Sequence, residues 1–385
     1  MTSGVITTGS PRSTALIPLG TTAPFYFEFM DERKRKIAEI VMDYVVIFGI
    51  SVLGIVTNSL VIIVYAKIGF RESVAVSMTT ISVWDLIKCI AGVLNNFSGI
   101  LTLYDPAAAY SWLNISTIVF NYLICFSSYV TSVMAAYVAV ERCLCVSIPL
   151  KVKWLLTPRV TLTACLVISV VVFGAFAVMF GIYDVIWIWN DTFNATVAIY
   201  KKSEFYINHE EPLFAYYNLS GILWPLAAFV VILASTIIII ARLRQGSKFR
   251  LGQKSMSSQH GGSSAQSKGH DNQRQGQNSL KRDQQVVKML LVIIIIYIAC
   301  LAPRIAHYLA KYIVYDFYFL RRHHYLFEFV NYGIMVADST NGAVNFFVFY
   351  SMSSSFRSKF RAMFCQSEKP KLSSDIAMTS MEMLR

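Results

Sequence analysis

The sequence predicts an all-α fold: a seven-transmembrane helix bundle closed by a short amphipathic eighth helix. Composition and segment length together predict it. The 385 residues are 55% apolar, with mean hydropathy +0.53 and only 15% charged, where soluble domains carry roughly 25%. Apolar segments long enough to cross a bilayer, about 20 helical residues, recur seven times.

In order, the segments are Asp43–Ala66, Val74–Leu103, Trp112–Val140, Val160–Tyr183, Phe214–Ala241, Val286–Tyr312 and Tyr325–Tyr350. The third closes an uncharged stretch of 35 residues, Pro106 to Val140, and ends on Glu141-Arg142. Such a pair is costly in lipid, so it belongs at the interface or against protein. The fourth and fifth contain no Asp, Glu, Lys or Arg. Arg304 and Lys311 interrupt the sixth and Asp338 the seventh, which requires a protein interior or a polar cavity.

Charge sets the expected orientation. With the N-terminus outside, the inner side holds 22 Lys and Arg and the outer side 11. That bias favours N-out and C-in, against the opposing cluster Arg33-Lys34-Arg35-Lys36. Sequons at Asn114, Asn190 and Asn194 fall on the proposed outer face, where glycosylation is possible. Asn96 and Asn218 match the tripeptide but lie in or near spans. Residues 1–40 form an extracellular tail with no apolar signal core.

The segment 243–285 is rich in Ser, Gly and Gln and is expected to be a disordered third inner loop. Residues 351–365 form the amphipathic helix, and 366–385 a disordered cytoplasmic tail. None of the seven cysteines lies in an outer loop. Cys89, Cys125, Cys165 and Cys300 read as small hydrophobes within spans, and Cys365 beside the eighth helix as a palmitoylation candidate. A basic net charge of +12 marks inner loops here and not nucleic-acid binding.

The order of polar motifs resembles the rhodopsin-like family of G-protein-coupled receptors. Gly54-Ile55-Val56-Thr57-Asn58 resembles its first-helix Asn motif, Trp84-Asp85-Leu86 its second-helix Asp motif, and Glu141-Arg142-Cys143 its Asp/Glu-Arg-Tyr. Pro225 fits the fifth-helix proline, Cys300-Leu301-Ala302-Pro303 the sixth-helix Cys-Trp-x-Pro, and Asn341 to Phe349 the seventh-helix Asn-Pro-x-x-Tyr region. The stretch Val140–Val146 with Pro149-Leu150 is similar to invertebrate FMRFamide-like neuropeptide receptors and gastropod chemosensory receptors. This chain departs from the family at several positions. Thr117 stands at the helix-three disulfide position, Leu301 replaces the toggle tryptophan, and Phe346 and Phe349 replace the seventh-helix proline and tyrosine. The loop from Asp184 to Pro212 must therefore be held otherwise or stay mobile.

The resemblance implies a plasma-membrane receptor that is not an enzyme. It would bind an extracellular peptide or small chemical and activate a heterotrimeric G protein by outward movement of helix six. Arrestin and a receptor kinase are further expected partners. Glu141 and Arg142 form the expected switch with Asp283, which lies about 30 Å along helix six from Pro303. Asp85, Thr131, Asn341 and Asn345 match a possible sodium site, or else form a structural polar network. Lys88, Arg304, His307, Tyr308 and Asp338 are candidate ligand residues, with Glu328 and Lys311 nearby. Ile124 stands where monoamine receptors carry an amine-pairing Asp. Lys88 also has structural alternatives, pairing with Asp85 or Asp338, and Arg304 has one with Asp338 or Glu328. A transporter would show inverted repeats, and none is visible; a ligand-gated channel would run N-in.

Overall fold

The computed structural model describes residues 32–257, 292, 295–311, 313, 314, 316, 317 and 322–364. The described residues form a helical bundle. Among the described residues, five helices are long and apolar enough to cross a membrane: Ile40–Ile68, Ser73–Leu101, Pro106–Ser147, Pro158–Gly181 and Glu210–Arg242. The sixth, 295–311, and the seventh, His324–Met352, carry the interrupting charges and pack into the same bundle.

The third span is the axis. Its 42 residues start at Pro106, whose missing N–H costs nothing in a first turn. The Asp105 side chain caps that turn, accepting from the Ala107 and Ala108 amides at 2.9 and 3.0 Å. Within its most apolar stretch 72% of residues are buried, against 22% for the fourth span, which therefore faces lipid. The helix is longer than its apolar segment because Asp105 starts it ahead of Trp112 and it continues through Glu141-Arg142 to Ser147.

Small residues let the first two spans approach closely. A Cβ at Gly54 would lie 2.4 Å from Cys89 Sγ. Asn58 Nδ2 donates to the Gly342 carbonyl at 2.7 Å, and Thr57 Oγ1 to that of Ala343 at 3.2 Å, tying the first span to the seventh. Without a proline at Phe346 the seventh helix runs unbroken to Met352. Phe349 is buried, its ring 5.7 Å from Tyr65 and 5.8 Å from Phe356. Phe356 belongs to the short helix Ser354–Phe364 and docks that helix under the bundle.

The helical bundle is as expected; one element adds to it and two expectations need correction. The added element is a hairpin: β1 (Tyr183–Asn190) pairs antiparallel with β2 (Ala195–Lys202) through a turn holding Asn194 at φ 48°. A strand pair is stable here because Val197 and Ala198 bury against the third span, and the Ala198 amide donates to Ser111 Oγ at 3.1 Å. These contacts hold the loop that, lacking a cysteine, had to be held by something other than the family's disulfide. At its far end Lys202 Nζ bonds the exposed Glu210 Oε1 at 2.7 Å.

First, the fifth helix continues from Glu210 to Ser257, so residues 243–257 of the expected disordered loop are helical. Extending a formed helix avoids the nucleation cost. Residues 33–36, assigned to the tail, likewise lie in the helix Glu32–Glu39. The remainder of that loop, 258–285, and the tail 366–385 lie outside the described residues.

Second, Asn114 cannot carry a glycan. It sits two turns inside the third helix, 3% exposed, and donates to the Tyr110 carbonyl at 2.9 Å. Asn190 and Asn194 are at the hairpin tip, with Asn194 exposed. Asn96 and Asn218 are buried, as their place in or near spans implied.

Candidate ligand cavity and helix-three switch

Three buried ion pairs, among the described residues, mark three levels of the bundle. A buried charge needs a partner because burial without one is expensive.

At the hairpin end, Arg304 of the sixth span pairs with Asp338 of the seventh. The guanidinium also lies 5.1 Å over the Tyr129 ring and donates to Cys125 Sγ at 3.7 Å. Tyr129 and Tyr308 share a hydrogen bond of 2.6 Å that joins the third span to the sixth. His307 is 4% exposed, with its ring 4.9 Å from Phe327 and 5.5 Å from Phe317. Lys311 Nζ sits 4.5 Å over the Tyr308 ring and 5.2 Å over Phe327.

The structure thus brings Arg304, His307, Tyr308 and Asp338 into one cluster. Two candidates stand apart from it. Lys88 points at Asp85, its Nζ 2.7 Å from Oδ1, because a lysine one turn along the same helix reaches that carboxylate without leaving the interior. Glu328 pairs with His324 at 3.6 Å instead of Arg304. Ile124 is 7% exposed within the core.

At the middle level Asn345 Nδ2 donates to Asp85 Oδ2 at 3.0 Å, so both carboxylate oxygens are engaged. Thr131 donates elsewhere, to the Ser128 carbonyl at 3.2 Å. Thr131 and Asn341 meet Lys88 around a cavity of about 10 Å³, room for one water. These residues do not fit a sodium ion, because the Lys88 ammonium already occupies the carboxylate.

At the eighth-helix end, Arg142 Nη2 lies 3.2 Å from Glu141 Oε2. Glu141 is 1% exposed and also accepts from Ser77 of the second span at 3.3 Å and Thr161 of the fourth at 3.4 Å. Tyr137 donates to Thr161 at 3.2 Å. Arg142 is 6% exposed, donates to Cys145 Sγ at 3.9 Å, and its Nε has no hydrogen-bond partner among the described residues. Asp283, the expected restraint, lies outside the described residues, as does Cys365.

The profile of serpentine type 7TM GPCR chemoreceptors, Srw, matches residues 45–367. The chain belongs to this family. The receptor is therefore a multi-pass membrane protein of the G-protein-coupled chemoreceptor class. A comparison with curated proteins finds no match. The family match covers all three ion-pair levels, from Asp85 to Asn345.

Sequence reasoning missed Tyr129, Ser77 and Thr161. Tyr129 was visible as the one large polar ring in the run Ser127-Ser128-Tyr129. Ser77 and Thr161 carried no signal, since hydroxyls in helices usually bond their own backbone.

Proposed function

We propose that the receptor sits in the plasma membrane with its N-terminus outside and binds an extracellular peptide or small chemical carrying an acidic group. Binding would activate a heterotrimeric G protein through outward movement of helix six. The finer resemblance to rhodopsin-like receptors, FMRFamide-like ones in particular, supports the peptide reading, and the family name supports the chemical one.

The observation that carries this reading is the Arg304–Asp338 pair. Asp338 stands where a ligand carboxylate would bind, so an acidic ligand can exchange with it and release the sixth span from the seventh. The exchange supplies the differential contact that a ligand-driven population shift requires. Arg142 and Glu141 form the other end of the relay, with Asp283 as a proposed further restraint. Arrestin and a receptor kinase are proposed partners of the inner face.

Orientation has a direct check. Epitope tags at both ends, stained in intact cells, should show the N-terminal tag alone, and glycosidase treatment should shift wild type but not Asn190→Gln/Asn194→Gln. Surface staining of the C-terminal tag alone would contradict the receptor reading.

A further inference from the structure

A carboxylate buried as deeply as Asp85 must take up a proton or keep a cation beside it. Here the cation is covalently attached. Lys88 lies three residues along the same helix, 3% exposed, so the 2.7 Å contact closes within one turn. It therefore does not depend on how the second and seventh spans are placed. Asn345 completes the carboxylate from the seventh span at 3.0 Å.

The neighbouring helix is shaped to this side chain. A Cβ at Gly342 would lie 2.9 Å from Lys88 Cε, 3.0 Å from Nζ and 3.3 Å from Asp85 Oδ1. A glycine leaves that volume to the ammonium, which any added Cβ would displace from its present position. The space remaining beside Lys88, about 10 Å³, is lined by Ser128, Thr131, Asn341 and Asp338 together with Tyr297 and Leu301. A second cation there would face the ammonium at short range, where like charges repel strongly in a low-dielectric interior.

We propose that Lys88 is a resident cation: its ammonium stands in for a dissociable monovalent ion on Asp85, making the receptor indifferent to sodium. Removing the side chain merges its volume with the adjoining cavity and leaves Asp85, Ser128, Thr131 and Asn341 as oxygen donors for a hard cation. The Lys88 variants should therefore gain a sodium site that wild type lacks.

Thermal unfolding of the full-length receptor in detergent tests this without ligand or G protein, so its outcome is separate from that of the signalling proposal. Wild type should melt at the same temperature in sodium chloride and in choline chloride of equal ionic strength. Lys88→Ala and Lys88→Gln should melt higher in sodium by about 2 °C or more, saturably, as for any ion bound only by the folded state. Adding Asp85→Asn should remove that gain. A sodium-specific rise in wild type overturns the proposal, and so does its absence from both folded Lys88 variants. If neither variant folds, the wild-type comparison decides alone.

Discussion

Arg142→Ala should abolish ligand-evoked G-protein signalling at surface expression matched to wild type. Arg142 ends the central helix, 3.2 Å from Glu141, with donor capacity left over among the described residues. Its bond network is lopsided: Glu141 is also satisfied by Ser77 and Thr161, whereas Arg142 depends on Glu141 and a weak contact to Cys145. A partner offering better acceptors can draw Arg142 away while Glu141 stays hydrogen-bonded. Glu141→Gln should therefore raise basal signalling. Hydrogen bonds to charged groups contribute about 1.5–3 kcal/mol, which converts to roughly ten- to hundredfold in the resting-to-active equilibrium. Basal and ligand-evoked second-messenger assays check both variants. Wild-type signalling from Arg142→Ala would remove this residue from the switch.

Single substitutions in the Arg304–Asp338 pair should be the most damaging to folding. Arg304→Ala or Asp338→Ala leaves one buried charge without its partner, a change that costs about 3–5 kcal/mol. The double variant Arg304→Met/Asp338→Leu should recover most of the lost melting temperature, since apolar replacement of a whole pair is often neutral. Recovery of stability should not recover ligand response, because the anchor is gone. Arg304→Lys separates the roles further: it keeps the charge but loses the planar donor fork, and agonist potency should fall at least tenfold. Dose–response curves at matched surface expression check this. Unchanged potency in both Arg304→Lys and Arg304→Ala would leave the pair a purely structural one.

Much of this architecture was legible because lipid imposes a length and an apolarity on every span. Ser73, Pro158 and Met352 fall within about a turn of the limits read from hydropathy. The third span was underestimated at both ends because the Asp105-capped turn starts it early and the helix continues past the charged pair to Ser147. The hairpin was illegible, since its stability comes from packing on the third span and from one Ser111 hydrogen bond, both long-range. The charged positions were readable as necessarily compensated, but their partners were not. Lys88 had two carboxylates within plausible reach, and only the helix geometry selects Asp85. Glu141 was legible as half of a charged pair, whereas Ser77 and Thr161 come to it from two other helices.

Comparing two cell lines shows whether ligand occupancy at the Arg304 level is reported through a G protein. One expresses heterotrimeric Gα subunits and the other lacks them, and both carry the receptor at equal surface density. Each is exposed to neuropeptides, amino acids and small odorants while second messenger and membrane current are recorded together. A ligand-evoked response is expected in the first line, lost in the second and lost in Arg142→Ala. A ligand-evoked current that persists without Gα would contradict coupling through a G protein.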